Sequence, residues 1–138
     1  MAVGFTVKRY LYTIGGGDFL HAFFSTVCGR LENEQWGSKY PYIMRELYQG
    51  ELPAEHLQQA AEELAQIEKD LARFAPDQVI WDIEDRSLMP PWGDQISDSI
   101  TDISNYFVTS SGEDLLQVFH SALAKAQQLQ LPLRIQAL

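Results

Sequence analysis

Apolar positions recur along this chain at two periods, and the switches between them mark its elements. Residues 3–14 are rich in β-branched and aromatic side chains. Phe5 and Val7 fall on one face, and Thr6, Lys8, Tyr10 and Tyr12 on the other, which predicts a strand. Gly15, Gly16 and Gly17 end it, as a tight turn into a helix. They lack the Lys-Ser/Thr of a phosphate-binding loop. From an N-cap at Asp18, the steps Phe19, Leu20, Phe23, Phe24, Val27 and Leu31 form one helical stripe. A second helix is expected over 39–49, capped by Ser38, with Tyr40, Ile43, Met44 and Leu47 inward and Gly50 ending it. A third and longest spans 53–74 on Leu57, Ala60, Ala61, Leu64, Ile67 and Leu71. Residues 78–83 and 105–109 read as two further strands. Ser110 and Glu113 fit a capping box for a last helix to about Gln128. Leu133, Ile135 and Ala137 alternate as a terminal strand. The order β-α-α-α-β-β-α-β gives an α+β fold: a single domain over 1–138, with a small, mostly antiparallel sheet and helices mainly on one face.

Composition narrows the function classes. An apolar content of 46% over 138 residues suits one core. No stretch approaches the ~18 apolar residues of a membrane helix, and no signal peptide is expected at the start. A lone cysteine, Cys28, rules out an intrachain disulfide and a zinc site of paired cysteines. It lies beside the apolar stripe and reads as an inert core thiol. His21, His56 and His120 are isolated in sequence and read as structural or exposed. A net charge of −9 disfavours direct nucleic-acid binding and favours a basic protein partner.

That charge is concentrated. Between residues 82 and 102 lie Asp82, Glu84, Asp85, Asp94, Asp98 and Asp102 against one basic residue, Arg86, a local balance of −5. The same segment carries Met89-Pro90-Pro91-Trp92-Gly93. One reading is a small metal-dependent hydrolase using Asp82, Glu84 and Asp85, since hard cations take converging oxygens. Against it, the segment has no EF-hand spacing and no histidine or cysteine nearby in sequence. The other reading is an exposed surface for a cationic partner, with Trp81, Trp92 and Tyr106 as aromatic anchors. Trp92 also suits a plug beneath the loop, and Asp98 and Asp102 suit caps for a helical turn across Ile96, Ile100 and Ile103. A non-enzymatic adaptor or oligomerising module is the third class.

The ordered set GGGDFLHAFFS (15–25), WGSKYPYIMRELYQGEL (36–52), IWDIEDRSLMPPWGDQIS (80–97) and TDISNYFVTSSGEDL (101–115) resembles bacterial immunity proteins of polymorphic-toxin and contact-dependent growth-inhibition systems. It is most similar to the immunity protein 70 family, over nearly the whole chain. The resemblance implies a cytoplasmic, non-enzymatic protein that binds and neutralises a cognate toxin C-terminal domain, often a nuclease with a basic cleft. No catalytic residue, metal ion or cofactor is expected. The resemblance supplies no contact list. From the residues themselves, the expected toxin-binding set is Asp82, Glu84, Asp85, Trp92, Asp94, Asp98 and Asp102, with residues 39–50, bearing Tyr42 and Tyr48, as the next candidate surface.

Overall fold

The structure, a computed structural model, describes residues 2–138. Strands β1 (Ala2–Val7) and β2 (Tyr10–Gly16) form an antiparallel hairpin. Where the alternation of 3–14 predicts one strand, the chain folds back at Lys8-Arg9, with Lys8 at φ 55°. A period of two reads the same through a hairpin as along one strand, and Lys-Arg is not a recognisable turn pair. The pairing slips between Gly4↔Thr13 and Val3↔Gly15, so Ile14 has no partner across the ladder. This bulge turns Ile14 fully into the core. Its carbonyl accepts the Ser110 N–H (2.9 Å), tying the hairpin to a distant loop.

The remaining strands are β3 (Glu51–Leu52), which the sequence pattern does not announce, and β4 (Leu133–Ala137). The sheet order is β2-β1-β4-β3, antiparallel throughout. Phe5, Val7 and Leu133 pack inward, while Leu11, Thr13, Arg134 and Gln136 leave the opposite face to solvent.

Helix α1 (Gly17–Thr26) continues into a π-helical turn, Val27–Leu31. Its N-cap is Gly16 rather than Asp18, whose Oδ1 instead accepts the Phe19 N–H in the first turn. The helix expected over 39–49 is a π-helical segment, Tyr42–Leu47. Helix α2 (Leu57–Leu71) is shorter than the expected 53–74, follows a 3-10 turn, Ala54–His56, and buries the expected stripe except Ala61, which is partly buried. Helix α3 (Leu115–Leu129) starts at Asp114. The serine–glutamate pattern before it closes a turn instead of capping: Thr109 N–H donates to the Glu113 carbonyl (2.7 Å), and Glu113 N–H to Thr109 Oγ1 (3.1 Å). The three helices and the sheet meet in an aromatic core, with Phe5 on Phe119 (4.6 Å) and Phe23 on Phe107 (5.6 Å). Cys28 is buried there, and burial pushes its thiol pKa up. No helix among the described residues is long and apolar enough to cross a membrane.

The two further strands expected at 78–83 and 105–109 are absent. Residues 79–83 lie extended along α1 and take their hydrogen bonds from its side chains. Thr26 Oγ1 meets both the N–H and the carbonyl of Ile80 (3.0 and 3.1 Å), Ser25 Oγ accepts the Ile83 N–H (3.1 Å), and Arg30 Nε donates to the Gln78 carbonyl (2.8 Å). The apolar β-branched pattern is thus satisfied by burial on a helix rather than by a ladder. Gly29 permits the approach, because a Cβ there would collide with Ile80 Cδ1. Residues 105–109 keep only one bridge, Val108↔Asp114, after a 3-10 turn, Ile103–Asn105.

Candidate functional site

The acidic segment leaves the core at Trp81 and returns at Tyr106. Short turns hold it between those points. Asp85 N–H donates to the Asp82 carbonyl (3.2 Å), Leu88 N–H to the Asp85 carbonyl (3.1 Å), and Gly93 N–H to the Pro90 carbonyl (2.9 Å). Gly93, at φ 59°, adopts the left-handed conformation that closes the last of these. Polar turns of this kind bury little, so most of the segment faces solvent, with Pro90 buried and Ile96 and Ile100 packed against the core.

Trp92 sits 36% exposed. It stands edge-on to buried Trp81 (5.4 Å, 88°), and its Nε1 donates to the Tyr106 hydroxyl (2.8 Å). Burial raises the Tyr106 pKa, with the Trp92 hydrogen bond acting the other way. Trp92 is therefore neither a core plug nor a free side chain: it packs on Trp81 and Tyr106, its Nε1 is held, and about a third of it faces solvent. It borders a groove of about 180 Å³ shared with Phe19, Ile96, Ile100, Tyr106 and Val108.

The acids divide by environment. Asp94 and Asp98 are exposed, and neither carboxylate meets another side chain among the described residues. Asp85 is exposed too, but Ser87 donates to it through N–H and hydroxyl, and these bonds hold its carboxyl below the usual range. Asp102 caps the 3-10 turn, accepting Ser104 N–H (2.8 Å) while Asn105 Oδ1 accepts Asp102 N–H (3.2 Å). Burial works to raise its pKa, but bonds from Ser104 and Thr101 outweigh it and the net shift is downward. Arg86, the segment's lone cation, lies 3.5 Å from Glu34.

Asp82 and Glu84 form a second locality. His21 of α1, 61 positions away in sequence, brings Nε2 to 3.3 Å from Asp82 and 3.5 Å from Glu84. Tyr48 Oη lies 2.9 Å from His21 Nδ1. Burial raises the Tyr48 pKa first, and the charges of Glu84 and Asp82 add to it. Trp36 packs against Tyr48 (4.8 Å) behind them. Sequence spacing offers no sign of His21 joining these acids. The only available hint is that an α1 residue at position 21 precedes Phe24 by three, so it lies near the buried stripe. Asp85, grouped with Asp82 and Glu84 by adjacency, turns away to Ser87. Of the expected set, then, Asp82 and Glu84 converge, Trp92 sits beside the Asp94–Asp98 stretch, and Asp85 and Asp102 serve local turns.

A family model for immunity protein 70 matches residues 5–135. No curated protein and no solved structure matches the chain.

Proposed function

The chain belongs to the immunity protein 70 family, whose members neutralise a toxin, and from that premise we propose that it blocks a nuclease-type toxin domain through the acidic, aromatic surface of residues 82–102. The observation that carries this reading is Trp92: an indole held by Tyr106 and packed on Trp81, with about a third of it facing solvent, beside unengaged Asp94 and Asp98. A pre-oriented aromatic ring can enter a pocket at little entropic cost and dominate binding energy. The carboxylates around it accelerate encounter with a cation-lined cleft of the kind that grips phosphate. Asp82, Glu84, Asp85 and Asp102 add to the same field. The charge of −9 opposes direct contact with nucleic acid, so inhibition acts on the toxin and not on its substrate. On this reading the protein is a non-enzymatic inhibitor that meets the C-terminal domain of a polymorphic, contact-delivered toxin in the cytoplasm.

Co-expression with the toxin domain encoded beside this chain's gene is the direct test. Survival with the intact protein and loss of survival with Trp92→Ala combined with Asp94→Lys and Asp98→Lys is the expected pattern. Equal killing with and without the intact protein rejects the proposal.

A further inference from the structure

All three histidines pair with carboxylates, and one does so differently. His56 Nδ1 lies 2.7 Å from Glu46, and His120 Nε2 lies 3.0 Å from Glu68. These are ordinary hydrogen-bond lengths to a single acid. His21 Nε2 instead faces two acids, Asp82 Oδ1 at 3.3 Å and Glu84 Oε1 at 3.5 Å. One ring nitrogen carries one proton, so it cannot serve two carboxylates well. The longer separations fit a cation between the three groups. With zinc–ligand bonds of about 2.0–2.2 Å, a tetrahedral centre holds its ligand atoms roughly 3.3–3.6 Å apart. The ligand atoms of His21, Asp82 and Glu84 all lie within 4.8 Å of one another.

The surroundings support this arrangement. Tyr48 Oη at Nδ1 (2.9 Å) fixes the ring from behind, as the outer partner of a metal-bound imidazole does. Asp82 Oδ1 also accepts the Glu84 N–H (2.9 Å), which holds the two acids in one turn. His21 and Asp82 side chains are 20% and 25% exposed and Glu84 78%, so two ligands are set into the fold and the third closes from solvent.

We infer that His21, Asp82 and Glu84 form a site for one divalent transition-metal ion of the zinc class, His21 through Nε2 and each acid through one carboxylate oxygen. The imidazole selects this class over magnesium and calcium, which prefer all-oxygen shells. A bound ion would fasten the start of the acidic segment to α1 and offset two of its charges. The site rests on its own geometry and not on the toxin reading, and it is tested without a toxin.

Calorimetric titration of the chelator-stripped protein with zinc chloride is the experiment. The expected result is saturable uptake of one ion per chain, unaffected by millimolar magnesium or calcium, with thermal stabilisation that EDTA reverses. Glu84→Gln, at an exposed position, and Tyr48→Phe should each weaken binding about tenfold or more. His21→Gln should abolish it, and His120→Gln should leave it unchanged. Circular dichroism checks each fold, and Glu84→Gln decides the matter if His21→Gln unfolds. No saturable uptake by the intact protein, or an affinity unchanged in Glu84→Gln, overturns the site.

Discussion

Glu32 and Asp94 are both acids of a strongly acidic chain, and the fold treats them oppositely. Glu32 is 3% exposed and accepts the backbone N–H groups of Gly37 (3.0 Å), Lys39 (2.9 Å) and Tyr40 (2.9 Å). Asp70, nearby, accepts from the Tyr40 hydroxyl (3.1 Å), Gln66 (3.0 Å) and Arg73 (3.2 Å). Glu63 accepts the Ile43 N–H (2.9 Å). Around Tyr40, whose pKa is pushed up beyond the usual range by burial and then by Asp70, negative charge holds backbone in place. Between residues 82 and 102, the acids lie on short surface turns, and Asp94 and Asp98 hold nothing. Net charge alone does not separate structural acids from available ones; the supply of donors does.

Breaking the inner cluster should have the largest effect. Glu32→Ala leaves three N–H groups without a partner, those of Gly37 and Tyr40 buried, and a loss of about 3 kcal/mol is expected in urea unfolding. Truncating the outer anchor should act on binding instead. Trp92→Ala is expected to weaken toxin affinity by about 2 kcal/mol, some thirtyfold in Kd, while unfolding free energy falls by less than about 1.5 kcal/mol. A stability loss exceeding the binding loss would move Trp92 into the inner class.

Asp70 sharpens the comparison through pH. Burial works to raise its pKa, but bonds from Gln66 and Tyr40 and the charge of Lys39 outweigh it, and the folded-state value is lowered from 3.8. A depressed acid stabilises the fold above its unfolded value, and that stability is lost as pH falls through the folded value. Asp70→Asn should therefore cost about 1–2 kcal/mol at neutral pH and flatten the acid limb of the stability profile below about pH 4. The smallest effect on the fold is expected from Asp94→Lys with Asp98→Lys. Stability should stay within about 0.5 kcal/mol, while association with a basic partner slows roughly tenfold at low salt and becomes less salt-dependent. Stopped-flow mixing reads this directly.

Much of the scaffold was legible because its signals are local. The stripes of α2 and α3 and the alternation of β4 recur in the structure nearly as read. Residues 79–83 show where that stops. Val79, Ile80, Trp81 and Ile83 look like a buried strand; Ile80 and Trp81 are buried and Val79 and Ile83 partly so, but Thr26 and Ser25 take the role of neighbouring strands. Side-chain period reports which faces are buried and not which partner satisfies the backbone. The two-residue β3 is too short to leave any period at all.

The sequence by itself determined the α+β class, the stripes that bury each helix, the concentration of acid between residues 82 and 102, and the family. Each of these is carried by composition or by spacing along the chain. The structure decided between surface and cap for Asp102, a choice the sequence left open, and it alone showed that Trp92 keeps one edge fixed and that His21 joins Asp82 and Glu84. The last two depend on which partners arrive from other segments, and chain spacing carries no record of positions 61 apart meeting across a helix.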